Sequence, residues 1–234
     1  MRVFAISDLH LALAKDKPMD VFGPDWEVYM QNIKTKWQKT VFHEDLVLIP
    51  GDLSWATYLD DAEPDFSYIE ALPGKKIITK GNHDYWWTTQ KKLDKYLEIK
   101  NFSTITFLQN RACFYDNVAI TGTRGWKSPE DEGFTQHDER IYLREMERLK
   151  LSLQSTSGFN GDIITMLHFP PYTSKGNPTG FVEIMQQFNV SICIYGHLHG
   201  KQCNNAIEGE QDGIRYYLVS SDYLQFMPLM LGVW

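Results

Sequence analysis

Five short apolar runs, each closing on Asp, Asn or His, set the strongest limit on what this chain can become. Val3-Phe4-Ala5-Ile6 leads into Ser7-Asp8-Leu9-His10, and Leu46-Val47-Leu48-Ile49 into Pro50-Gly51-Asp52. Lys75-Lys76-Ile77-Ile78-Thr79 leads into Lys80-Gly81-Asn82-His83-Asp84, where Gly81 is expected to allow a sharp turn. Ile163-Ile164-Thr165-Met166-Leu167 leads into His168-Phe169-Pro170-Pro171, and Ile192-Cys193-Ile194-Tyr195 into Gly196-His197-Leu198-His199. Short apolar runs bounded by turn residues read as strands buried on both faces. In open α/β sheets, ligands gather outside the carboxyl ends of the strands. Five strands delivering Asp, His and Asn to one edge therefore point to a metal site.

The intervening sequence predicts the connections. Asp25 is placed to cap a helix running to about Thr40, with Trp26, Met30, Ile33 and Trp37 spaced to face the core. Leu53 to Leu59 reads as helical, with a break near Pro64 and a short helix from Phe66 to Leu72. Helices are also expected over 88–97, 136–153 and 179–188. Ala112-Cys113-Phe114-Tyr115 and Val118 to Thr121 form a hairpin about Asp116-Asn117, which argues for mixed sheets. A second hairpin is expected to pair Gln202 to Ile207 with Ile214 to Val219. The loop from Leu11 to Gly23 either overhangs the site or is a surface excursion.

At 234 residues, with 43% hydrophobic and 23% charged residues and no linker-like tract, one domain over 1–234 is the economical reading. The net charge of −7, with no dense Lys/Arg block, argues against a duplex nucleic-acid surface. No run approaches the roughly 18 apolar residues of a membrane helix, and the N-terminus enters a strand without a signal-peptide pattern. A cytoplasmic setting follows, with Cys113, Cys193 and Cys203 as reduced thiols.

Seven residues are candidate ligands: Asp8, His10, Asp52, Asn82, His168, His197 and His199. Carboxylates with imidazoles suit Mn, Fe, Zn or Co. Seven exceed what one ion takes from protein, but suffice for two ions sharing a carboxylate, the usual arrangement for phosphate ester hydrolysis. Arg124, at another strand exit, can grip a substrate phosphate bidentately or pair with a surface carboxylate. Trp86 and Trp87 either pack against the following helix or stack on substrate. His43 and His137 lie in polar stretches and read as surface residues.

Asp8-Leu9-His10, Gly51-Asp52, Gly81-Asn82-His83-Asp84, His168 and Gly196-His197-Leu198-His199 together resemble the calcineurin-like metallophosphoesterase superfamily. The resemblance implies an α/β fold, a four-layer α-β-β-α sandwich of two mixed β-sheets flanked by helices. It also implies a centre of two divalent or trivalent ions (Mn, Fe or Zn). Asp8, His10 and His199 would hold the first ion, Asn82, His168 and His197 the second, and Asp52 would bridge. His83 would meet the transition state or the leaving oxygen, with Asp84 orienting it and raising its basicity. The expected activity is hydrolysis of a small phosphomonoester or phosphodiester. A catalytically silent scaffold and a nuclease of the same fold are the alternatives. The chain departs from the protein Ser/Thr phosphatase branch: Leu53-Ser54-Trp55-Ala56 stand where those enzymes carry Asp-Arg-Gly, and Lys80 stands where they carry Arg.

Overall fold

The computed structural model describes residues 1–15, 17, 19, 23 and 26–234. Its elements begin β1 (Arg2–Ala5), α1 (Tyr29–Thr40), β2 (Leu46–Pro50), α2 (Glu63–Glu70), β3 (Lys75–Thr79), α3 (Gln90–Lys100), β4 (Ile105–Phe107) and β5 (Cys113–Tyr115). They continue β6 (Val118–Thr123), α4 (Gln136–Gln154), β7 (Asp162–Leu167), α5 (Gly180–Gln187), β8 (Ile192–Tyr195), β9 (Gly209–Gln211), β10 (Ile214–Leu218) and β11 (Leu229–Val233). One sheet runs β11-β1-β2-β3-β4 and the other β5-β6-β7-β8-β10-β9. Within each, the central strands are parallel, and β11, β5 and β9 add antiparallel pairings.

Alternation along the strands builds three apolar layers. Val3 and Ala5 of β1, Leu46 and Leu48 of β2 and Ile77 of β3 face Val118, Ile120, Ile164, Met166 and Ile194 between the sheets. Their alternate neighbours Phe4, Val47, Ile49 and Ile78 pack outward on Ile33 and Trp37 of α1, Phe66 of α2 and Leu93 of α3. On the other sheet, Ile163, Leu167, Cys193 and Tyr195 pack on Leu149 and Leu153 of α4 and Val182 and Met185 of α5. Helices thus cover both outer faces, which gives the α-β-β-α sandwich. Burial on both faces is why these strands read as unbroken apolar runs. Among the described residues, no helix is long and apolar enough to cross a membrane.

Several local expectations are corrected. Leu53 to Leu59 forms no helix. Its first backbone donors are captured elsewhere: Leu53 and Ser54 donate to Asp84, and Trp55 donates to the Leu11 carbonyl. Pro64 breaks nothing, because it sits in the first turn of α2, where the missing N–H has no partner to lose. Gly200–Asn205 is a 3-10 turn, so Gly209–Gln211 rather than Gln202 to Ile207 pairs with β10. Helix α1 starts at Tyr29, and the expected cap Asp25 lies outside the described residues. The apolar tail becomes β11, the antiparallel partner of β1.

Candidate metal centre

The exits of β1 and β2 are laced together before any side chain is placed. Asp8 N donates to Gly51 O at 3.1 Å, His10 N to Asp52 O at 3.0 Å, and Leu11 N to Leu53 O at 2.8 Å. Ser7 N donates to Val219 O at 2.7 Å, joining this edge to the exit of β10 in the other sheet. Asp8, His10, Asp52 and His197 sit at φ of 56°, 45°, 51° and 73°. The left-handed region costs a non-glycine residue about 1–3 kcal/mol and persists only where the surroundings impose it. Four of the seven candidate ligands carry that strain.

Two groups of ligand atoms result. In the first, His10 Nε2 and His199 Nε2 stand 3.4 Å apart. Asp8 Oδ1 lies 3.4 Å from His199 Nε2 and 4.0 Å from His10 Nε2. In the second, Asn82 Oδ1 lies 2.7 Å from His168 Nε2 and 3.0 Å from His197 Nδ1. Asp52 Oδ2 lies between them, 3.9 Å from His10 Nε2 and 3.4 Å from His168 Nε2. Its other oxygen accepts from His83 N at 2.8 Å, which leaves Oδ2 facing both groups. Asp8, His10 and His199, and separately Asp8, Asp52 and His168, converge closely enough to hold an ion. With bonds of about 2.1 Å, neighbouring ligand atoms stand about 3 Å apart and opposite ones about 4 Å, which matches these separations.

The donor chemistry fits a cation. His199 Nδ1 pairs with Asp222 Oδ1 at 2.9 Å, and His168 Nδ1 with the Pro50 carbonyl at 3.1 Å. Each pairing places the hydrogen on Nδ1 and turns the Nε2 lone pair toward carboxylate or amide oxygens. Lone pairs that converge in this way need positive charge between them. Without metal, protons supply it. Burial lowers the pKa of His168, but the Asp52 and Asp8 carboxylates outweigh that and raise it to about 9. His199 is raised to about 10 against burial by Asp222 and Asp8. Burial alone dominates for His10 and His197, lowering them to about 4 and about 3. Burial opposes ionisation of Asp8, yet the surrounding histidines hold its pKa well below the usual carboxylate range.

The supporting groups include some that the sequence did not single out. Ser7 and Ser220 hydroxyls and the His197 N–H all donate to the Asp8 carboxylate. Asp222, which pairs with His199, follows β10 just as the candidate ligands follow their strands, and that position is the signal that could have exposed it. Gly81 does not use glycine's conformational freedom to turn the chain, since its φ is not positive. It is glycine because a Cβ would run into the Asp52 carboxylate and backbone N.

His83 and Asp84 do not form the expected pair. Asp84 is buried and accepts from the N–H groups of Gly81 at 2.7 Å, Asp52 at 2.9 Å, Leu53 at 3.0 Å and Ser54 at 3.3 Å, and from Trp86 Nε1 at 3.1 Å. It binds the β2 and β3 exits to each other and makes no hydrogen bond to the His83 ring. Burial and the Asp52 charge raise its pKa, against these donors. His83 is half-buried, with its ring 4.5 Å from that of Trp55 and 5.8 Å from that of His10. Burial lowers its pKa.

Arg124 turns to Glu145, 3.2 Å away, a carboxylate that is buried rather than on the surface. Its carbonyl accepts from both His168 N and Phe169 N at 2.9 Å. Trp86 is buried against Phe66 and Phe107, and His43 and His137 are exposed.

The model of the family described as calcineurin-like phosphoesterase matches residues 1–201. No curated protein matches. Among solved structures, the chain is similar to AQ665 of Aquifex aeolicus, a protein of unknown function. That match has 19% identity and a TM-score of 0.50 over 98% of this chain and 95% of that one. It is also similar to Plasmodium GAP50, described as the anchor in the inner membrane complex, with 13% identity and a TM-score of 0.50 over 94% and 71% of the two chains. At these identities the likeness concerns the fold. With two packed mixed sheets, Asp and His groups at their common edge and a family match over most of its length, the chain belongs to the calcineurin-like phosphoesterase family.

Proposed function

We propose that this chain, acting as one domain over residues 1–234, is a metal-dependent hydrolase of small phosphoric esters. The observation that carries the reading is the convergence of Asp8, His10 and His199 on one side of Asp52, and of Asn82, His168 and His197 on the other. The first three would hold one ion, the second three another, and Asp52 would be shared between them. Imidazole with carboxylate and amide oxygen suits Mn, Fe or Zn. When bound, such a pair neutralises charge on the phosphoryl oxygens and lowers the pKa of water toward neutrality.

The protein's own groups do the rest. Asp8 and His199 are fixed by Ser7, Ser220 and Asp222, so the ligands need little reorganisation when a substrate arrives. His83 lies beside the first group without being needed as a ligand, and Nδ1 of its ring has no hydrogen-bond partner among the described residues. It donates a hydrogen bond to the departing oxygen as negative charge builds there. The net charge of −7 favours a small ester over a polymer of phosphates, and three free cysteines suit a reducing compartment such as the cytoplasm.

Purified protein supplied with Mn²⁺ is expected to hydrolyse p-nitrophenyl phosphate or bis-p-nitrophenyl phosphate. His83→Ala should keep its metal and lose about 10²–10⁴-fold in rate. Folded, metal-replete protein that is inert toward a broad panel of esters would overturn the reading.

A further inference from the structure

A cleft of about 460 Å³ opens beside the candidate metal centre and shares only His197 with the seven candidate ligands. His197 forms part of its wall, and Phe169, Pro170, Tyr172 and Leu198 make its apolar face. The Phe169 ring stands 4.1 Å from the His197 ring, so the apolar face reaches the candidate ligand itself. Tyr172 is braced by Tyr216, edge to face at 5.2 Å, and its hydroxyl is tethered to Asp212 at 3.3 Å. The face is therefore formed before anything binds. Gln202 and Asn205 add amide donors and acceptors from the turn that follows His199.

Charge narrows what the cleft accepts. Lys127 lies on its rim, but its ammonium is already paired with Asp138 at 3.0 Å and with the Gly133 carbonyl at 3.1 Å. Asp131 and Glu132 on the same rim are acidic. An arm bearing a further phosphate would be repelled there. Position narrows it again. His83 packs on Trp55 and His10, on the side of the first ion group, whereas the cleft opens beside His197 of the second. An alcohol that leaves past His83 does not occupy the cleft.

We propose that this cleft receives the retained organic arm of a phosphodiester, an arm that is neutral or cationic with an apolar face and a hydrogen-bonding edge. The proposal rests on the hydrolase reading above. In that reaction the oxygen of water joins phosphorus and the bond from phosphorus to the leaving alcohol breaks. One proton of the water departs on the alcohol, and the other goes to the phosphomonoester or to solvent. The monoester product keeps its arm in the cleft.

The test uses the Mn²⁺-loaded full chain, with Gln202→Trp and Ser174→Trp as two independent ways of filling the cleft from exposed edge positions. Wild type should prefer bis-p-nitrophenyl phosphate to p-nitrophenyl phosphate, and each folded variant should lower the diester-to-monoester ratio of kcat/KM at least tenfold. A readout without turnover is calorimetric titration with phenylphosphonate, whose P–C bond is not hydrolysed. Wild type should bind it at least tenfold more tightly than inorganic phosphate, benzene-1,4-diphosphonate should bind less tightly than phenylphosphonate, and both variants should erase the advantage. An unchanged ratio in folded variants, or phenylphosphonate binding no better than phosphate, overturns the cleft assignment and leaves the hydrolase reading standing. Absence of all turnover overturns the hydrolase reading, and the titrations still decide the cleft.

Discussion

Replacing Asp84 by asparagine separates a structural clamp from a catalytic partner. Oδ1 of Asp84 accepts from Leu53 N, Ser54 N and Trp86 Nε1, and Oδ2 accepts from Asp52 N and Gly81 N. The amide of the Asp84→Asn variant would keep one oxygen and present an NH₂ group to the remaining donors. Whichever way that amide turns, at least two buried N–H groups lose their acceptor. Hydrogen bonds to a charged group contribute about 1.5–3 kcal/mol each, so the loss is about 3–6 kcal/mol. That is a large share of the roughly 5–15 kcal/mol that holds a domain folded. In urea, the unfolding midpoint should fall by about 1 M or more. Metal content should fall with it, because Asp52 and Asn82 stand on the two loops that Asp84 joins. If Asp84 served only to orient His83, Asp84→Asn would cut the rate while leaving the midpoint and metal content at wild-type values. That result would refute the clamp.

Asp222→Asn should weaken metal retention about 10–100-fold against a chelator without unfolding the protein, because the His199 Nδ1–H loses its charged acceptor; unchanged retention would remove Asp222 from the centre. A pH effect is expected at the start of α4, where hydrogen bonding to Thr135, with help from Lys127 and Trp126, holds Asp138 well below the usual carboxylate range. A depressed folded pKa stabilises above the unfolded value of about 4 and ceases to do so as pH falls toward the folded value. The gap in Tm between wild type and Asp138→Asn should therefore be fully open at pH 7 and narrow progressively as pH falls below about 4; a gap independent of pH would contradict this.

The strands, and the convergence of the candidate ligands at their ends, are legible because both depend on local sequence. Burial on two faces writes β1, β2, β3, β7 and β8 as unbroken apolar runs, and each ligand lies within a few residues of a strand's end. What was misread depends on contacts distant in sequence. Leu53 to Leu59 has helix-like composition, but its donors are claimed by Asp84, some thirty residues away, and by Leu11. Adjacency suggested that Asp84 serves His83, yet its side chain turns to the neighbouring loop. Gly81 was read as a turn, when the reason for glycine is the Asp52 carboxylate beside it. The left-handed φ of Asp8, His10, Asp52 and His197 had no glycine to announce it. Asp222 was placed after its strand but not connected to His199, because that pairing joins the exits of two strands.

The most direct measurement is anomalous diffraction from crystals grown with Mn²⁺. Two peaks about 3.5–4 Å apart are expected, with Asp52 Oδ2 between them, Asp8, His10 and His199 around one, and Asn82, His168 and His197 around the other. A single peak, or peaks that leave Asp52 and the imidazoles unengaged, would contradict the dimetal centre.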